Sequence, residues 1–358
     1  MKNALFIFGG VSSEHDISCI SATSVLKNVP QDKYIIYMLG ITKDGQSFLY
    51  SGDVENIEND GWLSDEGKLK KAVISTSHAD HGIIVFDGGK TETIYIDVCF
   101  PVMHGKNGED GTMQGLLTVA GIPFVGCNTM SSAVCMDKAM TNSICDVNGI
   151  AQAKWLYTTK YDFEHNGKDF VKKCAEHIGF PCFVKPANAG SSVGVRKSTD
   201  ANSLYEDLKY ALSFDTRVVV EEGIVGAEVE TAVMGNEELF VGAVGEIVPC
   251  NEFYDFEAKY VDGSTALHIP ARIPQEKQEE IKQIAKKAYK AFGCSGLARI
   301  DFFVRESDGK VLLNEPNTIP GFTSISMYPM LMQEAGVTYP QLIDKLLCLA
   351  IDRQEEEK

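Results

Sequence analysis

Two carboxylates take up opposed positions in the stretch "ARIDFFVRESDGKVLLNEPN". Strand-like runs flank "ESDG", which is typical of a hairpin turn. If the turn centres on Asp308, Asp301 lies opposite Glu315, and in the same register Arg299 lies opposite Asn317. Opposed carboxylates repel unless a cation lies between them, and these oxygens are hard ligands that suit Mg²⁺. The pattern predicts a metal site, with surface carboxylates as an equal alternative, and a register one residue off would remove the pairing.

The loop "NTIPGFTS" continues directly from this hairpin. It begins at a strand end, which is where ligand sites of α/β proteins usually lie. The backbone N–H of Gly321 could stabilise a developing oxyanion. An ordinary Pro-Gly turn is the alternative.

A lysine in "PCFVKPANAGSSVGV" raises the question of phosphate binding. A Walker A loop carries its lysine after the last glycine and opens a helix, whereas Lys185 precedes the small residues and lies in a strand-like run. A half-buried ammonium needs an anion. The stretch is therefore either a nucleotide site of another kind or a hairpin without chemistry. Lys138 and Lys259, taken singly, are typical of surface residues.

Glutamates follow two predicted strands. In "VVVEEGIVGAE", Glu221, Glu222 and Glu228 are either a hinge that receives adenine and ribose or a charged turn. In "GGVSSEHDIS", Glu14 is either a helix-capping residue favoured by the helix dipole or a carboxylate that holds a substrate ammonium. The glycine-containing stretch "MHGKNGEDGTMQG" is either a shaped loop or a solvated connection.

Composition excludes several classes of protein. The net charge of the 358 residues is −17, which argues against a partner that is nucleic acid but leaves anionic substrates open, since a cleft can be locally basic. The ten cysteines form no CxxC pair, so we expect reduced thiols and no structural zinc. No apolar run reaches the roughly 18 residues of a membrane span. We expect a cytoplasmic protein without a membrane partner.

The chain divides into three predicted regions with α/β character. Apolar runs at residues 4–8 and 94–102 predict buried parallel strands, and the helices between them give a βαβ rhythm. We expect an open α/β layer over 1–128, a smaller unit over 129–222 and a third region over 223–358.

Local patterns predict individual elements within these regions. A helix at 131–148 is expected to start at a serine cap, and "GIPFVG" reads as a short strand. "PQEKQEEIKQIAKKAYKAFG" has apolar residues at helical spacing. We expect a polar loop at residues 250–268 and a solvated tail at "RQEEEK".

The order of the motifs is more specific than any one of them. "FGGVSSEHDIS", "HGKNGEDGTMQG", "MDKAMT", "FVKPANAGSSVGV", "VEEGIVGAEVE", "EFYDFEAKY", "RIDFF" and "NEPNTIPGFTSISMYP" together resemble the D-alanine–D-alanine ligases, which are ATP-grasp enzymes. The resemblance runs from about residue 4 to residue 346. "GKNGEDG" and "VGCNTMSSAVCMDK" also look like vancomycin-resistance ligases of the D-alanine–D-serine type.

The resemblance implies a fold and a set of site residues. It implies the ATP-grasp fold, with ATP held between two antiparallel sheets, and a closing loop at about residues 250–268. The implied binding groups are the following: for ATP, Lys138, Lys185, Ser191, Ser192, Glu221, Glu222, Glu228 and Lys259; for metal, Asp301, Glu315 and Asn317; for the oxyanion, Arg299 and Gly321; for the amino acids, Glu14, His104, Ser191, Tyr260, Ser326 and Met327.

The resemblance also implies the activity. ATP would phosphorylate one D-alanine to an acyl phosphate, and a second D-alanine would attack it, with two Mg²⁺ ions (or Mn²⁺ in their place) as cofactors. D-Serine is the alternative second substrate, and D-lactate is the least favoured. A homodimer is expected. The competing hypotheses are ligation of other carboxylates and amines, a non-catalytic nucleotide-binding regulator, and an amino-acid-binding module that uses only 1–128.

Overall fold

The computed structural model describes residues 1–248 and 266–356 and contains three β-sheets. In the first region the expected βαβ rhythm holds only at its start, because six strands then follow one another without an α-helix between them. Helices and strands mostly alternate in the second region, and the third region is built around a sheet with helices on it. Among the described residues, no helix combines the length and the apolar character that crossing a membrane requires.

The first sheet has seven strands, which are β1 (Lys2–Gly9), β2 (Tyr34–Ile41), β3 (Ser47–Tyr50), β4 (Leu69–Ile74), β5 (Gly82–Asp87), β6 (Lys90–Tyr95) and β7 (Val98–Pro101). Their order is β6-β5-β4-β3-β2-β1-β7. β1 pairs in parallel with both β2 and β7, which explains its continuous apolar run. Two helices complete this region, α1 (His15–Lys27) and α2 (Thr112–Ala120).

Two sequence predictions for this region are wrong in detail. The single strand expected at 94–102 is two strands, β6 and β7, in different places of the sheet. "GIPFVG" forms only an isolated bridge from Phe124 to Cys99. An apolar run cannot show where a chain turns between two buried strands.

The second sheet is antiparallel and has the order β10-β9-β11-β8. The elements of this region are α3 (Thr129–Met136), α4 (Lys138–Asn148), β8 (Trp155–Thr159), α5 (Lys160–His177), β9 (Cys182–Pro186), β10 (Arg196–Ser198), α6 (Ala201–Ala211) and β11 (Arg217–Glu222).

The helix predicted at 131–148 is interrupted. Asp137 has an extended backbone, and its side chain accepts hydrogen bonds from the N–H groups of Ala139 and Met140. It therefore starts a new helix, α4. The cap of α3 is Asn128 rather than a serine.

The third sheet is also antiparallel and has the order β14-β13-β12-β15-β16. Its region comprises β12 (Gly226–Gly235), β13 (Phe240–Val248), β14 (Ala266–His268), α7 (Gln275–Ala291), β15 (Gly296–Arg305), β16 (Val311–Asn317), α8 (Met327–Glu334) and α9 (Tyr339–Glu356). The predicted amphipathic helix is α7, which begins after Pro274 and buries Ile281, Ala285 and Ala288.

A β-bulge sets the register of the β15–β16 hairpin. Near the turn Phe302 pairs with Leu313, whereas one residue earlier Asp301 pairs with Glu315. Asn314 is thus an extra residue on β16. The predicted facing of Asp301 and Glu315 is confirmed, but the prediction missed the bulge that produces it.

Within the described residues, the last helix is hydrogen-bonded to the first region. α9 runs on to Glu356, and Arg353 donates to the carbonyl oxygens of Phe124 at 2.9 Å and Gly126 at 2.5 Å. Gln354 donates to the carbonyl oxygen of Gly121. The prediction of a solvated tail is therefore wrong for Arg353 and Gln354, whereas Glu355 and Glu356 are helical but exposed. The sequence did not show these bonds because the accepting carbonyls lie far away along the chain.

A shared apolar core joins the first and third regions. Phe6 and Phe100 belong to one buried cluster with Leu297, Phe322 and Leu346. Phe100 and Phe322 meet edge to face, with ring centroids 5.4 Å apart. The three sheets fall within the three predicted regions, while the domain boundaries after residues 128 and 222 stay a prediction.

Candidate active site

A cavity of about 600 Å³ is lined by residues of all three regions. Every predicted site residue that the structure describes lines this cavity: Glu14, His104, Lys138, Lys185, Ser191, Ser192, Glu221, Glu222, Glu228, Arg299, Asp301, Glu315, Asn317, Gly321, Ser326 and Met327. The roles assigned to them remain predictions. Lys259 and Tyr260 lie outside the described residues, as does most of the predicted closing loop, although residues 266–268 at its end form β14.

Three carboxylates form a row across neighbouring strands on the cavity wall. Glu230 on β12 pairs with Asp301 on β15, and Asp301 pairs with Glu315 on β16. Like charges directly opposite one another destabilise a sheet. The row therefore requires positive charge close by.

Arg299 supplies part of that charge. Its Nε lies 2.8 Å from Asp301 Oδ1 and 3.0 Å from Glu230 Oε2, and its Nη2 lies 2.7 Å from Asp301 Oδ2. Burial alone would lower the pKa of this guanidinium, but Asp301 and then Glu230 outweigh burial and hold the pKa above its usual value. The Asn317 amide also donates to Asp301, at 3.0 Å.

A buried ion pair occupies the part of the cavity next to the second sheet. Lys185 Nζ lies 2.7 Å from Glu221 Oε2, and Asn142 donates to the other oxygen of Glu221 at 3.0 Å. Burial would lower the pKa of Lys185, but Glu221 outweighs it and raises the pKa. Burial would likewise raise the pKa of Glu221, but Lys185 reverses this and lowers it. Both groups are therefore charged at neutral pH.

The loop after β9 closes one side of the cavity. Lys138 Nζ donates to the carbonyl oxygen of Ala189 at 2.8 Å. Ser191 and Ser192 have φ values of 49° and 58°, a conformation that costs non-glycine residues about 1–3 kcal/mol and recurs at ligand clamps. Ser191 donates to Glu14 at 2.5 Å, which joins this loop to the start of α1.

The first region contributes two carboxylates and a histidine to the cavity wall, which are Glu14, Glu109 and His104. His104 is buried, and its ring nitrogens lie 3.1 Å from the Ile319 carbonyl oxygen and 2.9 Å from Ser21 Oγ. Burial lowers the pKa of His104. Glu109 accepts from the N–H of Gly105 at 2.7 Å. Burial and then the nearby Glu14 raise the pKa of Glu109 to about 8.

The loop after β16 brings the backbone of Gly321 and the hydroxyl of Ser326 to the cavity wall. A Cβ on residue 321 would lie 2.7 Å from Ser326 Oγ, so only glycine fits without a shift of that side chain. Ser326 Oγ in turn accepts from the N–H of Thr323 at 3.0 Å. The predicted Gly321 and Ser326 are thus close neighbours.

Sequence reasoning missed many residues of the cavity wall, among them Glu230, Asn142 and Glu109. Glu230 follows Glu228 by two positions on a strand, so the strand period placed it on the same face. Asn142 follows Lys138 by one helical turn on α4 and was detectable in the same way. Glu109 carried no comparable signal, because the loop that buries it has no period.

Comparisons with known proteins agree with this geometry. The D-ala D-ala ligase N-terminus family model matches residues 3–127, and the D-ala D-ala ligase C-terminus model matches residues 144–348. The D-alanine--D-alanine ligase of Acetivibrio thermocellus is 48% identical, over 99% of this chain and 97% of that relative. That of Caldicellulosiruptor bescii is 46% identical, over 98% and 96%.

Solved structures show the same relationship. The VanG D-Ala:D-Ser ligase from Enterococcus faecalis has a TM-score of 0.89 and 40% identity, covering 98% of this chain and 99% of its own. The D-alanine-D-alanine ligase from Coxiella burnetii has a TM-score of 0.86 and 33% identity, covering 100% and 97%. The fold is the ATP-grasp fold of an ATP-dependent ligase. The chain belongs to the D-alanine–D-alanine ligase family.

Glu109 predicts a pH dependence of stability. Its folded pKa of about 8 lies above the ordinary 4.5, so the folded protein holds a proton that the unfolded chain releases within this window. The contribution to stability is complete below pH 4.5 and is lost as the pH rises through about 8. In Glu109→Gln, the melting temperature should therefore fall less between pH 6 and pH 9 than in the unchanged protein.

The matched control is Glu58→Gln, which alters an exposed glutamate and should keep the original pH profile. Identical profiles for Glu109→Gln and the unchanged protein would contradict a raised pKa at Glu109. Calorimetric scans at four or five pH values are sufficient.

Proposed function

We propose that this protein uses ATP to join two D-alanine molecules into D-alanyl-D-alanine for peptidoglycan precursor synthesis. The observation that carries the proposal is that Arg299, the row of carboxylates and the Lys185–Glu221 pair line the same cavity. Paired cations and carboxylates of this kind suit phosphoryl transfer, where the protein mainly positions and neutralises charge.

The chemistry explains why ATP is needed. A carboxylate is a poor electrophile because it has no good leaving group. Transfer of the γ-phosphoryl group to the first D-alanine carboxylate gives an acyl phosphate and ADP. The amine of the second D-alanine, after losing its ammonium proton, then attacks the carbonyl carbon, and inorganic phosphate leaves.

The residues of the second sheet are suited to bind ATP. Lys138 and Lys185 are proposed to contact the phosphates, with Ser191 and Ser192 covering them. Glu221, Glu222 and Glu228 are proposed to receive adenine and ribose. Lys185 and Lys138 already donate to Glu221 and to Ala189, so phosphate binding requires each ammonium to share its three hydrogens.

The donor set at the hairpin fits Mg²⁺. Asp301, Glu315 and Asn317 offer carboxylate and amide oxygens on neighbouring strands, which are the ligands that hard divalent cations prefer. Two such ions, or Mn²⁺ in their place, would neutralise the charge of the transferring phosphoryl group. Because Arg299 and Asn317 donate to Asp301, cation binding also requires Asp301 to share its oxygens.

The oxyanion of the second step would form beside Arg299 and Gly321. A guanidinium and a backbone N–H are suitable donors, and each such donor contributes about 3 kcal/mol to transition-state stabilisation. Arg299 is held at Asp301 and Glu230, so its position needs no rearrangement at the moment of reaction.

The amino acids are proposed to bind between the first and third regions. Glu14, held by Ser191, would take the ammonium of the first D-alanine, with His104 alongside. Ser326 and the backbone of Met327 would hold the carboxylate of the second D-alanine.

Two further roles are proposed from the resemblance alone. Lys259 would reach the γ-phosphate, and Tyr260 would join Glu14 and Ser191. A cytoplasmic homodimer is the proposed state of the enzyme.

The metal assignment predicts the effect of Glu315→Gln. Replacing a carboxylate oxygen pair by an amide removes a charge that a divalent ion needs, so ADP formation with D-alanine and Mg²⁺ should be abolished. The melting temperature should stay close to that of the unchanged protein. The control is Asp308→Asn in the exposed turn of the same hairpin, which should keep its rate. Turnover at the original rate in Glu315→Gln would refute the assignment.

The proposed reaction predicts a strict substrate requirement. Phosphate release from ATP should need both Mg²⁺ and D-alanine, and the product of an equimolar mixture of D-alanine, D-serine and D-lactate should be mainly D-alanyl-D-alanine by mass analysis. The resemblance to the VanG structure makes D-alanyl-D-serine the second candidate product. If D-alanyl-D-serine were the main product, the second substrate would be D-serine instead of D-alanine. No turnover with D-alanine, with or without D-serine, would refute the proposed function.

A further inference from the structure

The loop between β1 and α1 places Glu14 with little tolerance for movement. A Cβ on residue 105 would lie 2.2 Å from Glu14 Oε2, and one on residue 190 would lie 3.1 Å from it. The carboxylate therefore packs against the backbone of Gly105 and Gly190, while Ser191 donates to its other oxygen. A shift of this loop would move Glu14 out of the space that these three residues define.

The next residue, His15, is fixed at both ring nitrogens on the side away from the cavity. Nδ1 lies 2.9 Å from the carbonyl oxygen of Gly10, and Nε2 lies 3.0 Å from Asp60 Oδ1. The side chain is only 2% exposed. Its ring also lies against Gly9, where an added Cβ would approach Cε1 to 2.9 Å.

Asp60 is itself anchored in the core. Its Oδ1 accepts from the indole N–H of Trp62 at 3.1 Å, and Trp62 is fully buried. Lys43 lies 3.5 Å from its other oxygen. Asp60 has a left-handed backbone with φ 60°, which a non-glycine residue keeps only where its surroundings hold it there. The residue is thus a strained and rigid support.

The side chains of His15, Cys19 and Trp62 contact Asp60 directly. Cys19 lies 3.6 Å from Asp60 Oδ1, and burial raises the pKa of its thiol, so Cys19 acts as a hydrogen-bond donor rather than as a thiolate ligand. His15 Nε2, Trp62 Nε1 and Cys19 Sγ all lie within hydrogen-bonding distance of the same atom, Asp60 Oδ1. Each of these three polar atoms therefore has a partner within the protein.

We propose that His15 and Asp60 are positioning residues for Glu14, and so for the amino acid that Glu14 binds. This inference rests on the proposed function of the cavity. His15 and Glu14 are adjacent, so fixing the imidazole at Gly10 and Asp60 fixes the backbone from which the Glu14 carboxylate extends. A displacement of about 1 Å at such a contact can lower the rate about 100-fold.

The test compares Asp60→Asn with Asp65→Asn. Both lie in the same segment and both lose one charge, but Asp65 accepts from Tyr50 and Asn56 and makes no contact with His15 among the bonds described for it. Steady-state rates are measured while D-alanine and ATP are varied separately, and melting temperatures are recorded for each variant.

Asp60→Asn should raise the KM for D-alanine about 10- to 100-fold and leave the KM for ATP near its original value. Asp65→Asn should leave both KM values unchanged, even if its melting temperature falls as far as that of Asp60→Asn. His15→Ala should reproduce the effect of Asp60→Asn, and His15→Asn, which keeps a polar group near Gly10, should recover part of it. His15→Ala also serves if Asp60→Asn does not fold.

Equal KM values for D-alanine in Asp60→Asn, His15→Ala and the unchanged enzyme would overturn the positioning role and make the pair purely structural. A parallel rise in the KM for ATP would also overturn it. Turnover by the unchanged enzyme with D-alanine is established first, so that failure of the proposed function is distinguished from failure of this inference.

Discussion

The row of carboxylates formed by Glu230, Asp301 and Glu315 is the constraint on which the rest of the site depends. Three neighbouring strands bring these like charges side by side on one face, an arrangement that costs stability unless cations accompany it. Arg299 bridges two of the three. The carboxylate and amide oxygens of this wall are the ligands that hard divalent cations prefer, which is why we propose that such cations bind there and draw a nucleotide phosphate to them.

The part of the cavity wall next to the second sheet carries a buried lysine together with a carboxylate. Lys185 and Glu221 are a buried pair in which each partner keeps the other charged. Removing one partner of such a pair leaves an isolated buried charge, which is strongly destabilising. A protein with a net charge of −17 thus keeps charged lysine and arginine side chains in one cavity, which can make a cleft locally attractive to an anion. The net charge of the chain therefore does not predict the charge of the side chains that line this cavity.

The sequence predicted which residues line one cavity better than it predicted the elements that carry them, while the roles of those residues stay predictions. Strand periodicity placed Asp301 opposite Glu315 because side chains alternate with a period of two, and that period survives the packing of the fold. It did not show the bulge at Asn314, which depends on how β16 meets β15. Nor did it show the break at Asp137, where a short cap outweighs a continuous helical pattern. Contacts distant in sequence, such as that of His15 with Asp60, leave no local pattern.

The family resemblance added what periodicity could not. It gathered Glu14, Lys138 and Ser326 into one site although they come from three regions, and the cavity contains all three. Neither periodicity nor the family resemblance indicated Glu109, whose raised pKa arises from burial and from the nearby Glu14. Those are properties of the packed cavity.

The proposed reaction requires the cavity to convert an amino-acid carboxylate into an acyl phosphate. The direct measurement uses D-alanine labelled with ¹⁸O in both carboxylate oxygens, together with ATP and Mg²⁺ in unlabelled water. In an acyl phosphate the bridging oxygen comes from the carboxylate and leaves with the phosphate. Mass analysis should therefore find one ¹⁸O atom in each released phosphate; unlabelled phosphate formed together with dipeptide would contradict the proposed reaction.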